Sequence, residues 1–140
     1  MNIPAEIFRA YDIRGIVGRS LSAPLVREIG RALGSVGRSR GAATFAVCRD
    51  GRHSGPELSD ALMAGLTAAG ADAIDVGMGP TPLAYFAAHH LGCGSCVAVS
   101  GSHNPPDYNG LKMVVGGDAL FGDDIQQLRN RIDKKQFSSG

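Results

Sequence analysis

The sequence predicts an α/β protein: a three-layer α/β/α sandwich around a mixed, mostly parallel sheet of about four strands. Three observations predict it. Apolar runs of strand length alternate with segments whose apolar residues recur at helical spacing. Each helical segment carries start or stop signals and an apolar face. The link between the apolar run Cys96-Val97-Ala98-Val99 and the run Leu111-Lys112-Met113-Val114-Val115 is too short to hold a crossover helix, so that pair is expected to be antiparallel and the sheet mixed.

In chain order, residues 7–17 read as a strand or extended segment ending at Gly15, unusually polar because it contains Arg9, Tyr11, Asp12 and Arg14. On the residues alone this is an edge strand with solvated charges. Ser22 is placed as an N-cap with Pro24 in the first turn, and Leu25, Ile29 and Leu33 give the helical stripe. Gly37 to Gly41 reads as a turn with two exposed cations, Arg38 and Arg40. Thr44-Phe45-Ala46-Val47-Cys48 is a buried strand whose carboxyl end delivers the polar loop Arg49 to Gly55. Ligands gather at such ends in open α/β sheets. Arg49, Asp50 and Arg52 are therefore active-site neighbours or an internal Arg–Asp pair that fixes the loop, and pattern does not choose between the two. Ser54-Gly55-Pro56-Glu57 has the form of a capping box, followed by Leu58, Leu62 and Leu66 and a stop at Gly70. Ala71 to Val76 is a further strand, and Thr81-Pro82 opens a short helix running to Leu91, with His89 and His90 near its end and no sign of a metal. Gly116-Gly117 turns the chain, Asp123-Asp124 starts a last helix with Ile125, Leu128 and Ile132 on one face, and Lys134-Lys135 closes it, acids and bases complementing the dipole.

With 140 residues and 14 Lys+Arg against 13 Asp+Glu, the formal charge of +1 fits one domain and gives no electrostatic grip on nucleic acid or membrane. No apolar run spans a bilayer and the amino terminus lacks a signal-peptide pattern, so a soluble, cytoplasmic protein is expected. Its three cysteines, Cys48, Cys93 and Cys96, are expected to be reduced thiols. Cys93-Gly94-Ser95-Cys96 has C-x-x-C spacing, yet it follows a helix end at Gly92 and leads into a strand, whereas redox pairs sit at a helix amino terminus. No second Cys/His pair completes a zinc site.

The stretch least like scaffolding is Ser100-Gly101-Ser102-His103-Asn104-Pro105-Pro106-Asp107-Tyr108-Asn109-Gly110, between the two apolar runs. Pro105 and Pro106 fix two φ angles and push Asn104 out of the helical region, which predicts a stiff, extended loop. Ser102 is a candidate nucleophile with His103 adjacent and Lys112 just past the loop as nearby base or cation. The alternative is a turn whose side chains bond only their own backbone. A nucleophile elbow would need Gly where Ser100 and Asn104 stand, and Gly110-Leu111-Lys112 breaks a Walker A pattern.

The stretch Ser100 to Lys112 is very similar to the phosphoserine loop of the α-D-phosphohexomutases. Phe8-Arg9-Ala10-Tyr11-Asp12-Ile13-Arg14-Gly15 resembles the amino-terminal signature of the family's bacterial phosphomannomutase/phosphoglucomutase branch, and Arg49-Asp50-Gly51-Arg52 with Ser54-Gly55-Pro56-Glu57-Leu58 resembles a third block, in matching order. Cys48 stands where the family pattern has Gly.

The resemblance implies that residues 1–140 form domain 1 of such an enzyme, the phosphoserine-bearing domain, without domains 2–4. It implies interconversion of hexose 1-phosphate and hexose 6-phosphate, glucose or mannose, through a 1,6-bisphosphate. Ser102 would carry the phosphoryl group and, through its phosphate, contact one Mg²⁺ whose carboxylates come from the second domain. Arg14 would hold phosphate, Tyr11 and Asn104 would contact the sugar phosphate, and His103 and Lys112 would manage the hydroxyl proton, with Lys112 preferred as acid/base. Glucose 1,6-bisphosphate is the implied activator, and the full enzyme is expected to be a monomer of which this piece alone is inactive. A different class of reading keeps Tyr11, Arg14 and the Ser102 loop as a ligand cradle in a stand-alone phosphosugar-binding or regulatory module.

Overall fold

The computed structural model describes residues 3–101 and 104–139. After a 3₁₀ turn at Ala5–Ile7 come strand β1 (Ile13–Ile16), helix α1 (Ala23–Ser39), β2 (Thr44–Arg49), α2 (Gly55–Ala68), β3 (Asp72–Met78), α3 (Thr81–His90), β4 (Ser95–Val99), β5 (Tyr108–Val115), β6 (Asp118–Ala119) and α4 (Asp123–Asp133). The sheet has the order β1-β5-β4-β2-β3, with β6 added beside β5.

Connection length dictates the pairing directions. α2 with β3 and α3 with β4 are crossovers long enough to return the chain parallel, and β2 pairs parallel with both β3 and β4. The helix-free link from Val99 to Tyr108 makes β4 and β5 antiparallel, with Ala98 opposite Lys112. β5 also pairs antiparallel with β1, Arg14 opposite Gly110, and with β6. The mixed three-layer α/β/α architecture is thus as expected, but among the described residues the sheet has six strands rather than about four. Two of its pairings are parallel and three antiparallel.

The two faces are covered unequally. Alternation along β5 turns Leu111, Met113 and Val115 into the larger core, where they join Phe45, Val47, Val97 and Val99 beneath the apolar stripes of α1, α2 and α4. Leu25, Ile29 and Leu33 of α1 are fully or almost fully buried, each worth about 1.5–3 kcal/mol relative to exposure. The opposite face is a smaller cluster of Ala46, Cys48, Cys96 and Ala98 against Ala84, Ala87 and Ala88 of α3. Small residues on both sides let α3 lie close to the sheet. Because α3 is the one helix covering that face among the described residues, the β1/β5 end of it is left open.

Several local readings change. The polar segment at 7–17 is strand only over Ile13–Ile16, preceded by the 3₁₀ turn and a single bridge between Phe8 and Ile13. α1 continues through Gly37 and Arg38 to Ser39 instead of turning there, because Gly37 is buried against the Phe45 ring, where a Cβ would sit 2.8 Å from the ring. Ser22 caps α1 as expected, its Oγ accepting from the Leu25 amide at 3.4 Å. Ser54 does not cap α2; it lies in helical backbone, and its Oγ instead accepts from Nδ2 of the fully buried Asn109 at 2.9 Å. α4 starts at Asp123 and ends at Asp133, and Lys135 adopts φ 53 just beyond it.

Candidate active site

β2, β3 and β4 run parallel, so their carboxyl ends share one edge of the sheet, and β5, being antiparallel to β4, begins there. The loop from Ser100 to Asp107 hangs from this edge. Ser102 and His103 lie outside the described residues, but both flanks of the pair are fixed. The Ser100 amide donates to the Gly110 carbonyl at 2.9 Å, and the Val17 amide donates to the Asp107 carbonyl at 2.8 Å. The loop is not extended. Asn104 N donates to Gly101 O at 3.0 Å and Tyr108 N to Pro105 O at 2.9 Å, so its carboxyl half is folded into turns.

What holds those turns comes from the connection after β2. The Asp50 carboxylate accepts from the Gly101 amide at 2.9 Å and, through both oxygens, from the Arg52 amide at 3.2 Å and Arg52 Nε at 3.3 Å. Arg52 in turn donates from Nη2 to Asn104 O at 2.8 Å and from Nη1 to Pro105 O at 2.5 Å and Tyr108 O at 3.1 Å. Of the two readings of the Arg49–Arg52 block, Asp50 and Arg52 take that of an Arg–Asp pair fixing a loop, and the loop is the one that bears Ser102. Arg49 turns elsewhere, its Nη1 lying 3.6 Å from the Asp75 carboxylate.

The open β1/β5 end of the α3 face forms a cleft of about 640 Å³. Tyr11, Arg14 and Lys112 all line it. Arg14 stands opposite Gly110 and Lys112 is two residues further along β5, so both project to the same side of the sheet. Arg14 Nη2 donates to Asp12 Oδ2 at 2.6 Å, and Asp12 is 8% exposed, so the guanidinium is oriented from behind by a buried carboxylate. Tyr11 is 78% exposed, a phenol presented to whatever enters. With Arg9 also on the wall, three cations face one carboxylate among the described residues, a balance that suits an anion. Gly110 joins cleft and loop, flanked by Arg14 on one side and bonded to Ser100 on the other. It admits no side chain, because a Cβ there would run into the Ile13 carbonyl.

The structure therefore brings Tyr11, Arg14 and Lys112 into one cleft. It places Asn104 in the loop's own scaffold rather than on the cleft wall, its Nδ2 donating to Gly101 O at 3.1 Å. The sequence does not single out the two further aromatic residues of the cleft, Tyr85 of α3 and Phe121 after β6. The available signal was weak: Tyr85 is a large aromatic on a helix whose buried positions are all alanine.

The three thiols are free, with Cys48 and Cys96 buried under α3. Burial pushes the Cys96 thiol up to about 12, with Cys48 and Cys93 adding to the effect. Burial also raises Cys48, partly offset by the Ala84 backbone. Groups held neutral this way are poor nucleophiles. Native protein at pH 8 should be alkylated at half-exposed Cys93, with Cys48 and Cys96 labelled only on unfolding, as peptide mass analysis would report. Because these folded-state values lie above the unfolded one near 9, the thiols' contribution to stability is complete below that pH. It is lost progressively as pH rises toward 12. A denaturation series that shows no loss over that window would contradict the assignment.

Comparison with known proteins places the fold in a family. The family described as "Phosphoglucomutase/phosphomannomutase, alpha/beta/alpha domain I" matches residues 5–139. The chain is 54% identical over 138 residues to the phosphomannomutase/phosphoglucomutase of Pseudomonas aeruginosa and 49% identical over 136 residues to the phosphoglucomutase of Neisseria gonorrhoeae. Those alignments cover 99% and 97% of this chain and 30% of each relative. The crystal structure of a phosphoglucomutase/phosphomannomutase family protein from Burkholderia thailandensis superposes with a TM-score of 0.94 at 53% identity, over 99% of this chain and 32% of that one. The chain belongs to the phosphoglucomutase/phosphomannomutase family and carries its α/β/α domain I.

Proposed function

We propose that residues 1–140 are the phosphoryl-donor domain of an enzyme that interconverts hexose 1-phosphate and hexose 6-phosphate, glucose or mannose, with domains 2–4 supplied by the rest of a longer protein. The observation that carries the reading is the joining, through Gly110, of a cationic cleft bearing Tyr11, Arg14 and Lys112 to the anchored loop on either side of Ser102.

In this reading Ser102 holds the phosphoryl group. A hexose phosphate hydroxyl attacks phosphorus, the bond from phosphorus to the serine oxygen breaks, and a 1,6-bisphosphate forms; transfer back from its other end regenerates the phosphoserine. Such chemistry depends on positioning and charge neutralisation. Arg14, held by Asp12, takes phosphate oxygens in its planar fork, and Tyr11 contacts the sugar. Lys112 is preferred over His103 for moving the hydroxyl proton because it lines the cleft beside Arg14. Asn104, committed to the loop scaffold, would reach the substrate only with atoms the scaffold does not use.

Mg²⁺ would contact the Ser102 phosphate and glucose 1,6-bisphosphate would act as activator. Among the described residues no three His, Cys, Asp or Glu come together as metal ligands. In this reading the carboxylates would come from a further domain, and no step above depends on the ion. Among the described residues no helix is long and apolar enough to cross a membrane; a cytoplasmic, monomeric full enzyme is the setting this reading assumes.

A second reading, a phosphosugar-binding or regulatory module without catalysis, is favoured by one observation, that Tyr11, Arg14 and Lys112 of this chain already line one cleft. Titration of the 140-residue chain with glucose 1-phosphate, followed by NMR, separates the two. The donor-domain reading predicts weak binding, with Kd above roughly 1 mM, and no mutase activity with Mg²⁺ and bisphosphate. Micromolar affinity would favour the module, and turnover by this chain alone would contradict the donor-domain reading.

A further inference from the structure

Asp50 and Arg52 belong to the connection after β2, yet most of their side-chain hydrogen bonds run to the loop some 50 residues further along the chain. The Arg52 side chain is 15% exposed and that of Asp50 24%, so the pair is largely enclosed. Three carbonyls, of Asn104, Pro105 and Tyr108, converge on one guanidinium. Carbonyls turned inward in an irregular loop need a donor there, and an unmet one is costly. A guanidinium offers several N–H groups in fixed directions within one plane, whereas an ammonium is a compact point charge on a flexible stem and cannot span three acceptors so spread. Asp50 holds the other flank through the Gly101 amide and is itself tied to β4 by its own amide, which donates to the Val99 carbonyl at 3.0 Å. Gly101 is glycine for a related reason, since a Cβ there would coincide with the Arg52 guanidinium. Both neighbours of the Ser102-His103 pair therefore hang from one two-residue unit at the end of β2.

We propose that Asp50 and Arg52 are positioning residues, which act through Gly101 and the Asn104–Tyr108 backbone to aim Ser102 for in-line phosphoryl transfer and do not themselves bind the sugar phosphate. This rests on the reading of Ser102 as phosphoryl carrier. A displacement of the reacting atom by about 1 Å costs on the order of 10²-fold in rate, so the pair matters to turnover far more than to global stability.

The test has two arms. In the 140-residue chain, amide hydrogen exchange at Gly101 and Tyr108 is followed by NMR in Arg52→Ala and Arg52→Lys. The second variant keeps the charge and stem should the first fail to fold. Both are expected to speed exchange at these amides about tenfold or more while β2 and α1 amides keep their protection. In a chain of the relatives' length, both should lower kcat by roughly 10²-fold with KM little changed, and millimolar guanidinium, but not ammonium, should restore part of the Arg52→Ala loss. Unchanged exchange at Gly101 and Tyr108 would overturn the proposal alone. A raised KM with normal kcat would overturn it by making Arg52 a substrate contact. Normal turnover of Ser102→Ala would remove the carrier reading and the catalytic half of the proposal with it, a result the exchange arm, which needs no substrate, keeps separate from the first.

Discussion

Ser102→Ala, in a chain of the relatives' length, is expected to lower interconversion of hexose 1- and 6-phosphates by roughly 10⁴-fold or more, since removing a covalent nucleophile leaves only what binding and electrostatics supply. The loop should survive the change. Its flanks are held by Gly101 N to Asp50, by the carbonyls of Asn104, Pro105 and Tyr108 to Arg52, and by Ser100 N to Gly110, and none of these bonds involves the Ser102 side chain. The loss should therefore appear in kcat with unchanged thermal stability. A serine that merely closed a turn through its own backbone would show the reverse, a small stability effect and ordinary turnover. Steady-state kinetics with glucose 1-phosphate, beside a melting curve, separate the two outcomes.

The largest effect on stability is expected at the crossing of α1 and α2. A Cβ on Gly65 would collide with the Arg27 carbonyl and sit 2.9 Å from the Arg31 amide, while a Cβ on Gly30 would collide with the Leu62 carbonyl and lie 3.1 Å from Gly65 Cα. The obstacles are helix backbone, which cannot swing aside as a side chain can. Gly65→Val must push the helices apart and open gaps around the buried Leu62 and Leu66, for a loss of at least about 3 kcal/mol, despite the better helix propensity of valine over glycine. Chemical denaturation should show this as a lower midpoint. A loss under 1 kcal/mol would mean that the helices are not in backbone contact at Gly65.

The parts of the fold that could be read in advance are those decided by neighbours in sequence. α1 is announced by Ser22, Pro24 and the stripe Leu25, Ile29, Leu33, and the structure agrees at its start. The helix-free link after Val99 forces the antiparallel β4–β5 pair and hence a mixed sheet. The misread parts were decided by distant partners. Gly37 stays helical because Phe45 packs on it. Ser54 forgoes its cap for Asn109, 55 residues away. The prolines stiffen the loop, but its turns are set by Arg52, over separations of 52 to 56 residues. β6, two residues long, pairs only because Gly116 and Gly117, both at positive φ, fold the chain back on β5. The site was legible unevenly for the same reason. Arg14 and Lys112 come to one side of the sheet through one strand pairing, whereas Tyr85 and Phe121 reach the cleft from other elements and carry little local signal.

We propose that this chain carries the phosphoryl group of a larger mutase on Ser102. The most direct test is intact mass with peptide mapping of the protein captured from its source cells by an antibody against these residues. The expected result is a chain several times longer than 140 residues, with phosphate on the peptide containing Ser102 and lost on exposure to hexose phosphate. A protein of 140 residues whose Ser102 peptide bears no phosphate would contradict it and leave the cationic cleft as a binding site alone.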